Sequence, residues 1–123
     1  MANPNIYSTT VVNLVTLGGA LTTSEVALLS NAASSGHVYK IISLYVSSIS
    51  SSNTVTVTAN WNNAAAIGGT DYSICYELVV LSQSTVVLID ENSPIVLNEN
   101  SSLGVLASAN SSAEYVLTYQ DIM

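Results

Sequence analysis

Thr54-Val55-Thr56-Val57-Thr58-Ala59-Asn60-Trp61 alternates apolar and polar residues at every step, the period of an extended strand with one buried face. Val55, Val57, Ala59 and Trp61 share the face expected to be core. Thr54, Thr56, Thr58 and Asn60 share the face expected to be wet or in contact with a neighbour. The same period recurs in short runs on both sides of this stretch, and strands are expected at 7–17, 24–30, 37–50, 53–61, 72–81, 84–90, 94–97, 102–109 and 113–121. Between them fall Ser34-Ser35-Gly36, Ser50-Ser51-Ser52-Asn53, Gly68-Gly69, Glu91-Asn92-Ser93-Pro94, Asn98-Glu99-Asn100 and Asn110-Ser111-Ser112, residues that favour turns.

Short strands at this spacing indicate a single all-β domain over residues 1–123, with 1–7 as an N-terminal arm. The expected fold is an antiparallel β-sandwich, jelly-roll-like, with an immunoglobulin-like sandwich as the alternative. One segment is ambiguous, since Thr22-Thr23-Ser24-Glu25 has the spacing of a helix capping box. The apolar run after it is short and closed by Asn31, so a strand is the better reading.

Several strands are apolar in both phases. In 37–50 one phase holds Val38, Ile42, Leu44 and Val46, and the other holds Tyr39, Ile41, Tyr45 and Ile49; in 113–121, Val116 opposes Tyr115, Leu117 and Tyr119. A two-layer sandwich wets its outer faces, so a doubly apolar strand implies either irregular twist under loop cover or a subunit interface. Tyrosine suits an interface because its ring adds contact area at small entropic cost. Tyr39, Lys40, Tyr45, Tyr115 and Tyr119 are therefore the candidate assembly interface. Lys40 shares a phase with Val38 and Ile42, so its stem either snorkels past the core or its ammonium meets Glu77, Glu114 or an acid of a partner subunit.

The composition narrows the partners. The chain holds one lysine, no arginine and eight acidic residues, for a net charge of −7, and is 49% hydrophobic but only 7% charged. Binding nucleic acid needs Lys or Arg to replace counterions, and an anionic membrane surface attracts polybasic segments; neither partner is expected. No apolar run approaches the roughly 18–20 residues that span a bilayer. Met1-Ala2-Asn3-Pro4 lacks the basic and apolar regions of a secretion signal, so synthesis in a cytoplasm is expected.

No catalytic constellation emerges, and no enzyme activity or cofactor is expected. His37 would have to serve as the base of a serine triad, yet no GxSxG elbow fixes a nucleophile; it reads as an exposed residue beside Gly36. Asp90 and Glu91 are adjacent and point to opposite sides. The turns at Asp90-Glu91-Asn92 and Asn98-Glu99-Asn100 supply oxygen ligands without calcium-loop spacing, so no metal is assigned. Cys75, the one cysteine, reads as a small buried hydrophobe, and Gly18-Gly19 and Gly68-Gly69 read as turns or bulges. Asn100-Ser101-Ser102 and Asn110-Ser111-Ser112 match a glycosylation pattern that arises by chance in a chain so rich in Asn and Ser.

From Thr22 to Ile122 the chain shows a Thr-rich first strand and a linker ending in a small residue, in Ala27-Leu28-Leu29-Ser30-Asn31-Ala32-Ala33-Ser34-Ser35-Gly36-His37-Val38-Tyr39-Lys40-Ile41. A polar turn and strand follow in Ser50-Ser51-Ser52-Asn53-Thr54-Val55-Thr56-Val57, then a closing pair from Pro94-Ile95-Val96-Leu97 to Tyr115-Val116-Leu117-Thr118-Tyr119. In this the chain resembles small virion structural proteins of tailed bacteriophages, especially marine and cyanobacterial phages. It departs from them where they carry Gly-Asp or Glu-Gly-Asp: Asn98-Glu99-Asn100-Ser101 must turn without glycine, and Asn tolerates the left-handed region.

The resemblance implies a sandwich used as a repeated unit on a virion. The expected role is a capsid decoration or cement protein that binds the major capsid protein, forms a homo-oligomer such as a trimer, and stabilises the head through neutral and Tyr-rich contacts. A neck, tail or tail-fibre component is the alternative. From a different class, a carbohydrate-binding module would use Trp61 and exposed tyrosines as stacking platforms.

Overall fold

Alternation drives the described part of the chain, residues 11–123 of this computed structural model, into nine strands. They are β1 (Val12–Ala20), β2 (Val26–Asn31), β3 (Val38–Ser48), β4 (Val55–Asn62), β5 (Asp71–Val80), β6 (Thr85–Ile89), β7 (Ile95–Leu97), β8 (Ser101–Ala107) and β9 (Ala113–Ile122). The expected arm at 1–7 and the start of the first expected strand lie outside the described residues. The segment after Glu25 is strand, as preferred over the capping-box reading.

The first sheet has the order β1-β9-β3-β6, with β7 pairing β3 beside β6; the second has the order β2-β8-β4-β5. Every pairing in both is antiparallel. The chain is an all-β sandwich, and its strand order is that of a jelly roll. An immunoglobulin-like sandwich would place β1 and β2 in one sheet; here they lie in opposite sheets. Ile41, Leu44, Val46, Val55, Val57, Leu103, Val105 and Leu117 fill the space between the layers.

β3 runs through the middle of the first sheet, and its pairing with β9 shifts register between Ile41 and Ser43. The extra residue, Ile42, is a β-bulge that reverses the side-chain phase of everything after it. Ile41, Leu44 and Val46 all reach the core in consequence. Strict alternation set Ile41 against Leu44 and Val46, and Tyr39 beside Tyr45. In the fold the first three share the inner face, and the two tyrosines are on opposite faces.

β4 corrects a second expectation. Val55, Val57 and Ala59 are core and Trp61 is half-buried against it, as its alternation implies. On the opposite face Thr54 is exposed and Thr56 half-buried, as expected, but further along Thr58, Asn60 and Asn62 are buried. Glu25, just before β2, lies over this face and accepts a hydrogen bond from Asn60 Nδ2 at 2.7 Å. The room comes from Gly104 on β8, where a Cβ would stand 2.6 Å from the Glu25 carboxylate.

The loop from Asn63 to Thr70, with a 3-10 turn at Ala65–Ile67, covers the Asn62 end of that face. Asn62 Oδ1 accepts from Ala64 N at 3.0 Å and Gly69 N at 2.9 Å. The Ser102 hydroxyl accepts from Ile67 N and donates to the Ala64 carbonyl, while Ser30 Oγ accepts from Ala66 N. These bonds hold Ala66 and Ile67 at φ of 55° and 50°, a conformation disfavoured for both.

The glycine pairs divide. Gly68-Gly69 belongs to this loop, as expected, whereas Gly18-Gly19 makes no turn and lies inside β1. Gly19 leaves space for the Tyr115 ring, 3.3 Å from where its Cβ would be. The glycine-free turn before β8 forms as anticipated, with Asn100 at φ 61°.

Gly104→Ala is expected to lower unfolding free energy by about 1–2 kcal/mol, because the new methyl displaces Glu25 from Asn60. The same change in a Glu25→Ala background is expected to cost much less. Denaturant unfolding of the four proteins measures the coupling.

Candidate functional site

The outer face of the second sheet is partly closed by the chain's own polar cover, but among the described residues that of the first sheet has none over its middle. Its rows follow from the register. Thr16, Thr118 and Ser43 lie side by side across β1, β9 and β3; Val116 and Tyr45 form the next row with Val87 of β6. Leu14, Tyr45, Val87, Val96 and Val116 are exposed there, Leu14 at 66%. Between them the polar partners satisfy one another: the Thr16 and Thr118 hydroxyls are 3.1 Å apart, and those of Ser47 and Thr85 are 2.8 Å apart.

The five candidate interface residues separate on this geometry. Lys40 and Tyr45 are on the open outer face, because their neighbours Ile41, Leu44 and Val46 are fully buried. Tyr39, Tyr115 and Tyr119 pack against the core. Tyr39 and Tyr119 meet edge to face at 5.2 Å between ring centres, and burial, helped by the Asp121 charge, pushes both phenols above their usual range.

Lys40 pairs in register with Gln120 on one side and Val96 on the other. Among the described residues it makes no ion pair with Glu77, Glu114 or any other acid. Its row across the sheet, Leu14, Gln120, Lys40 and Val96, is otherwise neutral and partly apolar.

Beside Tyr45 is a cleft of about 440 Å³ lined by Ile42, Ser43, Tyr45, Asp90, Glu91 and Asn92. The bulge forms one wall and the turn after β6 the other. Asp90 Oδ1 accepts from the backbone of Asn92 and Ser93, closing that turn, while Glu91 is exposed. Sequence reasoning kept Asp90 and Glu91 apart from Tyr45 because their meeting depends on the β3–β6 register. It also passed over Tyr72 and Tyr76, 56% and 72% exposed, since only connectivity shows that β5 is an edge strand.

His37 differs from its expected exposed state. It is half-buried, with Nδ1 2.6 Å from Asp121 Oδ1, and joins the loop before β3 to the end of β9. Cys75 is half-buried rather than core, and burial raises its thiol above the ordinary range. Trp61 packs on the core and tilts by 38° against Tyr72, so the two rings do not form a flat platform. No group of three or more His, Cys, Asp or Glu side chains among the described residues could hold a metal. Glu99 Oε2 accepts from the backbone of Gly36.

No family model matches the chain, and no curated protein is similar to it. Among solved structures it is similar to a chain of the disulfide-linked pili that form Bacillus endospore appendages, with 15% identity over 92% of this chain and 88% of that one and a TM-score of 0.50. At that identity the likeness is one of fold.

The covered face titrates. Burial raises the Glu25 carboxyl above the 4.5 of a free glutamate, the Asn60 bond opposes this, and the neighbouring Asp71 carboxyl adds to it. Protonated Glu25 is thus favoured more in the folded chain than in the unfolded one. Its contribution is full below about pH 4.5 and is lost as pH rises through the raised folded value. The drop in melting temperature from about pH 4 to pH 7 is expected to be smaller for Glu25→Gln than for the wild type, by calorimetry at both pH values.

Proposed function

We propose that this chain is a non-enzymatic structural subunit of a multi-copy protein assembly. The observation that carries this is the outer face of the first sheet. It is long, carries few charged side chains and is studded with exposed Leu14, Tyr45, Val87 and Val116, and it belongs to a chain that covers part of the equivalent face of its other sheet. Apolar and hydroxyl contacts of this kind do not weaken as salt screens charge, which suits a particle that must stay assembled in varied media.

The sequence resemblance supports a place on the virion of a tailed phage, with the open face against the major capsid protein as a decoration or cement subunit; a neck or tail position uses the same surface. The fold likeness to a chain of endospore pili favours a second reading, a subunit of a filament. Disulfide linkage along such a filament does not carry over. One cysteine per subunit joins at most a pair, and the raised pKa of Cys75 leaves little thiolate to react.

Purified chain is expected to bind phage heads in many copies, or to form ordered particles or filaments by itself, in sedimentation and electron microscopy. Val116→Lys together with Val87→Lys is expected to abolish this without loss of fold. A wild-type chain that stays monomeric at high concentration and leaves heads bare would overturn the proposal.

A further inference from the structure

Two features of the open face remain without a use: the lone cation and the acidic cleft. Lys40 and Tyr45 lie on the same side of β3 only because the bulge at Ile42 offsets their odd spacing in sequence. They stand about 13 Å apart along the strand, at roughly 3.3 Å per residue with one residue taken up in the bulge. One end of the face therefore carries the chain's single Lys or Arg side chain, unpaired among the described residues, and a point further along carries the cleft of Tyr45, Asp90 and Glu91.

We infer that the first sheet packs face to face against the same sheet of a second copy, about a two-fold axis, with Lys40 of each protomer seated in the Tyr45–Glu91 cleft of the other. This rests on the assembly reading and names the partner and register of that surface.

Charge selects the occupant. Each copy carries −7, so self-association is tolerable only where acids are sparse or matched by a cation. The face offers that match: a positive group and a negative cleft, separated along one strand. A two-fold arrangement exchanges the two ends and makes both pairs at once, whereas a head-to-tail contact leaves one Lys40 and one cleft unmatched at the ends. The Tyr45 ring adds a face on which an ammonium is attracted, and Asp90, tied to its own turn, fixes the wall that presents Glu91.

The ion pairs set register and partner choice, while the apolar rows of Val87 and Val116 supply most of the affinity. Val96, in register beside Lys40, provides apolar surface for the lysine stem to cross.

Sedimentation equilibrium of the full chain tests this. The wild type is expected to dimerise, and Lys40→Glu and Glu91→Lys are each expected to weaken the dimer by about tenfold or more. An equimolar mixture of the two variants is expected to recover wild-type affinity, because both reciprocal pairs are then opposite in sign. Both positions are on the surface, so melting temperature and circular dichroism should be unchanged; Lys40→Met, which keeps the stem, should weaken the dimer less than Lys40→Glu.

A monomeric wild type, a Lys40→Glu chain that dimerises normally, or a mixture without recovery would each overturn the inference. Should any of these chains still coat heads or form filaments, the assembly reading stands and only the two-fold register falls. Failure of both assays removes both.

Discussion

A single inserted residue in β3 governs the chemistry of the first sheet. β3 is paired along its length by β9 and on its other side by β6 and β7 in tandem, so it cannot adjust its phase without disturbing three neighbours. The bulge at Ile42 lets Ile41, Leu44 and Val46 all point inward, which closes the core. The same shift carries Tyr45 out to the face that Lys40 already occupies. Without it, Tyr45 would compete for core space with Tyr39 and Tyr119, and the cleft beside the Asp90 turn would lose its aromatic wall.

The two sheets solve the same problem in different ways. Each must dispose of an outer face in a chain with almost no charged side chains to solvate it. The second sheet uses internal hydrogen bonds: Asn60, Asn62, Ser30 and Ser102 bind Glu25 and the 63–70 loop. Their polar groups are thereby satisfied out of water, which is the condition for burying them. The middle of the first sheet has no such cover among the described residues and pairs hydroxyls across strands instead, leaving its valines and Tyr45 exposed. This asymmetry, more than the apolar content of either sheet, distinguishes the surface left for other proteins.

Most of the strands were legible because period-two alternation and Ser/Asn/Gly punctuation are local signals, and β2 through β9 formed close to where those signals placed them. The sandwich followed from their number and spacing. The bulge was not legible, since Lys40-Ile41-Ile42-Ser43 carries no glycine or other mark of an inserted residue, and phase errors propagate to every later side chain. Nor was the cover over β4: Thr58, Asn60 and Asn62 have the composition of a wet face, and what buries them arrives from residues 25 and 63–70. His37 was misread for the same reason, as Asp121, its partner, lies 84 residues away.

The 63–70 loop also has a place in time. Asn62 and Asn63 close its base locally, but the backbone from Ala64 to Ile67 is held by Ser30, Asn100 and Ser102, partners 35 to 38 residues distant in sequence, and two of these residues sit in a strained conformation. The base of the loop can therefore close with the β4–β5 hairpin, but its tip gains its remaining bonds only once β8 has been laid between β2 and β4. Non-local closure of this kind slows folding, and it makes the tip a late checkpoint whose ordering reports that the second sheet is complete.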